Sequence, residues 1–187
     1  MRVDVSTSGQ QADDAGFRPF VSDDGSVVAF GSEATNLVSG VTDGATLVYV
    51  RDLKAGTTTL VSRAVGGGEP NDWVYLYGLS SDGRYVLMQS AATDMVAGDT
   101  NGGADDFVYD RLTGTMTRVD VTASGGQANK GDTDIAGVNG TAISADGGTV
   151  AFSSESTNLV QGDTNGAIDV FVRTGLGAAA ARDARAR

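Results

Sequence analysis

The stretch SADGGTVAFSSESTNLVQGDTNGAIDVFVR, residues 144–173, decides the fold, because most of its pattern occurs three times in the chain. Its central SESTNLVQG appears earlier as SEATNLVSG at 32–40 and as SAATDMVAG at 90–98. The first two copies are 58 residues apart and the last two are 64 residues apart. A repeat of this length indicates modules that bury their apolar faces only by stacking on one another.

Each copy contains apolar runs separated by turn residues, which predict β-strands. Asp-Gly lies between the first two runs of every copy, and glycine accepts the positive φ that a tight hairpin requires. We therefore expect an all-β chain in which each copy is a four-stranded antiparallel meander, with strands A, B, C and D in chain order. The predicted strands are 17–22, 26–32, 46–53, 58–63, 74–80, 84–90, 105–112, 115–121, 141–144, 149–154 and 168–173.

The copies divide the chain into three repeats and a tail. The repeats span about 2–59, 60–117 and 118–173, and the third contains six extra residues in its D–A loop, between Ala128 and Ser144. After them, the Ala/Arg-rich tail 174–187 does not follow the pattern, and we expect it to be disordered or weakly helical.

The two ends of the repeat region complement each other. RVDVS at 2–6 matches RVDVT at 118–122, so Arg2–Ser6 is predicted to be a D strand with no A, B or C before it. The third copy has A, B and C but no D. Propellers close with about four to eight blades, so three are too few and two chains would supply six. We therefore predict a homodimer in which Arg2–Ser6 completes the last blade of the partner or of its own chain, hiding the open sheet edges.

The recurring blocks at 80–114 and 144–173 resemble the TolB-like β-propeller repeat, which occurs in tandem in many secreted and periplasmic bacterial proteins. The resemblance covers residues 2–173. It implies a β-propeller and a secreted or periplasmic location, and it implies little about chemistry because propellers host many functions. Relatives usually carry more copies, so this chain corresponds to half a propeller.

Composition excludes several classes of function. Thirteen Lys and Arg against 24 Asp and Glu give a formal net charge of −11, which disfavours nucleic acids and anionic membranes and favours cations. No apolar run approaches the roughly 18 residues that span a bilayer. The chain has no His and no Cys, so a Ser-His-Asp triad, a His-based zinc site and a thiolate metal site are excluded. We expect no nucleotide or organic cofactor.

The loop between strands B and C carries the motif G-D-T-N-G-x-x-D in the second and third copies. Its oxygen side chains could surround a hard divalent cation, with Ca²⁺ favoured. The alternative is that these side chains bond their own backbone and shape the turn. In the first copy, Val41 and Leu47 replace two of the positions. The predicted ligands are Asp99, Asn101, Asp105, Asp163, Asn165 and Asp169.

The loop between strands D and A is also acidic. Doubled by a dimer, these loops would place a ring of carboxylates at one mouth of the channel, where mutual repulsion favours a divalent metal. The alternative is a solvated acidic rim. The predicted metal-binding residues are Asp14, Asp72, Asp132 and Asp134.

One strand A carries aromatic residues at alternate positions. Trp73, Tyr75 and Tyr77 are predicted to lie on one side of the strand near the channel, as an apolar wall for a ligand. Packing between blades is the alternative explanation.

These features lead to three hypotheses about function. The first is a ligand- or partner-binding module, with a small molecule or a protein as ligand and with a bound cation. The second is a divalent-metal-dependent hydrolase of activated esters, of phosphotriesterase or lactonase type, at the acidic mouth. The third is a purely structural repeat fragment.

Overall fold

The computed structural model describes residues 1–131 and 140–176, and every regular element within them is a β-strand. The strands are β1 Gly16–Val21, β2 Val27–Ser32, β3 Leu47–Asp52, β4 Thr57–Leu60, β5 Val74–Leu79, β6 Tyr85–Ser90, β7 Asp105–Asp110, β8 Thr115–Arg118, β9 Thr141–Ile143, β10 Thr149–Ser154 and β11 Asp169–Thr174.

These strands form three antiparallel sheets in chain order, which we call blades 1, 2 and 3. Blade 1 has the order β1-β2-β3-β4, blade 2 has β5-β6-β7-β8, and blade 3 has β9-β10-β11. All pairs are antiparallel neighbours in sequence, as a meander requires. The prediction of an all-β chain of three meanders is confirmed. The third blade has three strands among the described residues.

Asp-Gly turns set both the hairpins and the distance between blades. Gly83 has a φ of 72° and Gly147 a φ of 70°, in the region that glycine accepts without strain. A Cβ added at Gly83 would lie 2.8 Å from the Cβ of Val27 in blade 1. One added at Gly147 would lie 2.0 Å from the Tyr85 ring in blade 2. The turns of blades 2 and 3 therefore need glycine for close approach to the preceding blade.

The core consists of two apolar layers between consecutive blades. Val50 of blade 1 packs in one cluster with Met88 and Phe107 of blade 2, and all three are nearly inaccessible to solvent. Val108 of blade 2 packs in a second cluster with Phe152 of blade 3. The first strands also touch in sequence, β1 with β5 and β5 with β9. Each blade thus buries its faces against its neighbours, as consecutive propeller blades do.

In a single chain Arg2–Ser6 forms no strand, so its role as the D strand that completes the last blade stays a prediction. Val5 forms only an isolated bridge with Gln11, and the segment then turns along blade 1, where the Thr58 amide donates to Thr7 Oγ1 at 3.0 Å. The D strands are also shorter than predicted, ending at Leu60 and Arg118. RVDV is therefore the end of a D strand plus the start of the connection to the next blade.

The six-residue insertion lies mainly outside the described residues, and so does the tail from 177 onward. Within the described residues, no helix is long and apolar enough to cross a membrane.

Candidate functional site

The B–C loop of blade 2 buries two of the predicted metal ligands. Asp99 and Asp105 have side chains that are 2% and 0% exposed. Asn101 Nδ2 donates to Asp105 Oδ1 at 2.7 Å, and Gln127 Nε2 donates to Asp99 Oδ1 at 2.9 Å. The loop side chains therefore hydrogen-bond one another, and Asn101 Oδ1 also accepts the Gly103 amide of its own loop at 3.4 Å, the kind of backbone contact that the alternative describes.

The positive charge beside these carboxylates is Arg118, the last residue of β8. Its Nη2 lies 3.5 Å from Asp99 Oδ2 and its Nε lies 3.8 Å from Asp105 Oδ2. Burial, with the neighbouring Asp105 charge as a second cause, raises the pKa of Asp99 to about 6 despite the opposing effect of Arg118. Arg118 thus supplies the positive charge that a bound cation would otherwise provide to Asp99 and Asp105.

Blades 1 and 3 treat the same positions differently. In blade 1 the three equivalents are Val41, Leu47 and Leu60, all buried, so an apolar cluster replaces the charged one. In blade 3 Asp163 and Asp169 are partly exposed, and Asn165 Nδ2 donates to Asp169 Oδ1 at 3.1 Å.

Among residues 1–131 and 140–176, no group of three or more Asp and Glu side chains is arranged to hold a metal ion. The Ca²⁺ site at the six B–C loop residues therefore stays a prediction.

The predicted carboxylate ring of the D–A loops is only partly described. Asp14 Oδ1 accepts the Ala15 amide at 2.7 Å, and Asp72 Oδ1 accepts the Trp73 amide at 2.8 Å. Both side chains lie on the exposed surface and bond the adjacent backbone. Asp132 and Asp134 lie outside the described residues, so the metal at the channel mouth also stays a prediction.

Each D–A loop also contains an Asp or Asn that hydrogen-bonds a Thr of the B–C loop, and we call this contact the clamp. In blade 2, Asn71 Oδ1 accepts the Thr93 amide at 2.9 Å and Asn71 Nδ2 donates to Thr93 Oγ1 at 2.9 Å. Asp13 with Thr35 and Asn129 with Thr157 make the equivalent contacts. The recurring Thr of the B–C loop therefore ties that loop to the D–A loop, a role that the repeat pattern alone did not reveal.

The three aromatic residues of blade 2 do lie on one side of β5. Their side chains alternate with buried Val74 and Leu76 and are half-buried. The rings of Trp73 and Tyr75 stack with centroids 4.6 Å apart at 29°.

Arg18 of blade 1 completes this aromatic group, and sequence reasoning did not single it out. Its guanidinium carbon lies 5.0 Å from the Tyr75 ring centroid and 5.2 Å from that of Tyr77, within the range of cation–π contact. Arg18 has a φ of 49°, at the register shift between Phe17 and Phe20. A non-glycine residue in this region is uncommon, and such residues cluster at functional sites. The only sequence signal was Pro19 beside it, which is disfavoured within a regular strand.

Comparison with known proteins gives structural likeness only. No protein-family model matches the chain, and no curated protein matches it by sequence. Among solved structures, a protein from Agrobacterium tumefaciens assigned as TolB is similar over 82% of this chain and 43% of its own, with 20% identity and a TM-score of 0.43. TolB from Acinetobacter baumannii is similar over 87% and 45%, with 17% identity and a TM-score of 0.39.

An oligogalacturonate lyase solved in complex with manganese is similar over 92% of this chain and 38% of its own, with 16% identity and a TM-score of 0.44. The chain thus spans less than half the length of these proteins. Because the identities and scores are this low, we take nothing about activity from them.

Proposed function

We propose that this chain is a propeller-type binding module whose ligand contacts the aromatic group of Arg18, Trp73, Tyr75 and Tyr77. The observation that supports this most strongly is the stacked Trp73–Tyr75 pair with a guanidinium of the neighbouring blade over Tyr75 and Tyr77. The group lies on the first strands of blades 1 and 2 and remains partly accessible to solvent.

The aromatic group is repeated only at one of its three positions. The blade 1 equivalents of Trp73, Tyr75 and Tyr77 are Ala15, Phe17 and Pro19. A residue needed only for packing between blades would be expected to recur as the buried core positions do. Trp73 and Tyr77 have no aromatic equivalent in blade 1, and unrepeated aromatic residues on a repeated scaffold favour a specific role, since binding sites are typically placed this way.

The chemistry of the group favours a small organic ligand with a flat face and a negative charge. Aromatic faces stack on planar rings, and the guanidinium of Arg18 offers hydrogen-bond donors to a carboxylate. The net charge of −11 disfavours highly charged anions, so a single carboxylate is the best match. Aromatic monocarboxylates are therefore the proposed class.

Cation binding remains a second part of the proposal. It concerns the D–A loop carboxylates at the predicted channel mouth, since Arg118 already offsets Asp99 and Asp105 in the B–C loop of blade 2. The metal-dependent hydrolase that the sequence also predicts has no further support among the described residues, where no three-carboxylate metal group occurs.

Trp73 is the only tryptophan, so its fluorescence reports directly on the proposed site. Titration with benzoate and with indole-3-acetate should give a saturable change in emission for the wild-type protein. Arg18→Gln should lower the affinity for both carboxylates at least several-fold. Tyr75→Ala should abolish the saturable change in emission. Tyr109→Phe, which alters a tyrosine outside the aromatic group, is the control and should bind as the wild type does. No saturable change with either compound, or equal affinity for all variants, would contradict the proposal.

A further inference from the structure

The outer face of blade 3 lacks a covering that blades 1 and 2 possess. Val170 and Val172 of β11 are 75% and 62% exposed. Their blade 2 equivalents, Asp106 and Val108, are 1% and 3% exposed, because the next blade and β8 cover them. A sheet edge with adjacent apolar side chains is a surface that pairs with another strand.

Blade 2 shows what would complete blade 3. Arg118 begins the segment RVDV at 118–121, and its side chain lies between Asp99 and Asp105 of its own blade. The blade 3 equivalents of these carboxylates are Asp163 and Asp169, and no described arginine lies within ion-pair distance of either. RVDV occurs once more in the chain, at 2–5, with Arg2 at the position of Arg118.

The first residues of the chain are held in a suitable position by blade 1. Thr58 bonds Thr7 and donates through its hydroxyl to the Val5 carbonyl, and Arg51 Nη1 donates to the Ser6 carbonyl at 3.3 Å. Arg2 has a side chain that is 53% exposed, and its nearest carboxylate, Asp4, is 3.8 Å away. Residues 2–4 are therefore presented at the edge of blade 1.

A second repeated contact points to the same arrangement. Gln127 Oε1 accepts the Thr100 amide at 3.2 Å and the Thr100 hydroxyl at 3.0 Å, joining the start of the third repeat to blade 2. Glu69 makes the same contact with Thr42 of blade 1. The corresponding residues Gln11 and Thr164 are both exposed, at opposite ends of the three blades.

We propose that the open face of blade 3 binds the first residues of a second copy of this chain, with Arg2 of that copy placed between Asp163 and Asp169 and its Gln11 against Thr164. Charge complementarity and the repeated contacts of blade 2 identify the occupant as another copy. The contact is head-to-tail, so it closes only when the copies form a ring. Two copies give six blades, within the range of about four to eight at which propellers close.

Sedimentation equilibrium of the full chain tests this proposal. The wild type should fit a dimer of the 19.0 kDa chain. Arg2→Glu should raise the dimer dissociation constant by about tenfold to a hundredfold, because it places like charges together in a contact that excludes water. Asp163→Arg should do the same, and the double variant should recover most of the affinity. Lys54→Glu makes the same charge change at an exposed turn of blade 1 and should leave the constant unchanged.

A wild type that stays monomeric at every concentration would overturn the proposal, since the edge would then be covered by something other than a second copy. A dimer equally stable in Arg2→Glu and Lys54→Glu would also overturn it. Circular dichroism of each variant verifies that the blades are folded. Ligand binding at the aromatic group is measured separately, so failure of one proposal leaves the other standing.

Discussion

Three equivalent positions in blades 1 and 2 fill the same space with opposite chemistry. Val41, Leu47 and Leu60 occupy it in blade 1, whereas Asp99, Asp105 and Arg118 occupy it in blade 2. A buried ion pair with its hydrogen bonds can replace a well-packed apolar cluster at similar stability, but removing one charged partner is strongly destabilising. The three positions therefore change together, and this joint change is visible in the sequence.

The raised pKa of Asp99 makes stability depend on pH. Burial raises the pKa of Asp99 from its ordinary 3.8 to about 6, so the folded state binds a proton more tightly than the unfolded chain. Its stabilising contribution is complete below about pH 4 and is lost as the pH rises through 6. The free energy of unfolding of the wild type, measured in urea at pH 4 and pH 7, should fall relative to Asp99→Asn by about 2 kcal/mol. A difference that stays constant with pH would contradict this assignment.

At the residue scale, the sequence grouped residues that do lie together in blade 2 but did not reveal their partners. The six B–C loop residues were recognised as a group of oxygen ligands, and Asp99, Asn101 and Asp105 do lie together. The sequence placed Arg118 only on a strand, because it lies 13 residues beyond Asp105. The two residues come together through the register of β7 against β8, which the sequence pattern does not give. Arg18 depends on a register shift in β1, which no periodicity signals.

At the scale of elements, the clamp between D–A and B–C loops explains why the motif T-N or T-D recurs. In blade 3, the Asn129 side chain accepts the Thr157 backbone amide at 3.1 Å and donates to the Thr157 hydroxyl at 2.9 Å. The backbone amide of Asn129 donates to Asn158 Oδ1 at 2.9 Å. In blade 1, Asp13 takes the position of Asn129 and accepts from both Thr35 groups. An aspartate can therefore replace the asparagine when the threonine hydroxyl rotates to donate.

Because blade 1 uses Asp13 where blade 3 uses Asn129, Asn129→Asp is a natural control for removal of the Asn129 side chain. Asn129→Ala removes two side-chain hydrogen bonds and should lower the free energy of unfolding by about 1–2 kcal/mol. Asn129→Asp should retain most of that free energy, because the carboxylate keeps the two contacts that blade 1 uses. Urea denaturation of both variants measures the difference. Equal destabilisation by Ala and Asp would show that the clamp does not act as described.

Strands were the most predictable elements, since alternation and Asp-Gly turns specify them locally. β10 has the predicted bounds, and the other strands differ by up to three residues at an end. The N-terminal segment was the exception. A strand forms only with a partner to accept its hydrogen bonds, and residues 2–4 have no sheet beside them in a single chain, so β propensity alone was not sufficient.

At the scale of the whole molecule, the repeat explains how the three blades stabilise one another. Each blade buries apolar residues against the next, and among the described residues the outer face of blade 3 and residues 2–4 have no neighbouring sheet. The sequence alone predicted these complementary ends. The particular contacts between them came from seeing how Arg118 and Gln127 are used within the chain.

Small-angle X-ray scattering from the peak of a size-exclusion column tests the closed ring most directly. A closed ring of two copies should give twice the 19.0 kDa chain mass at every point of the peak, with a profile that fits six blades about a two-fold axis. The mass of a single chain throughout, or a mass that keeps rising with concentration as in an open filament, would contradict it.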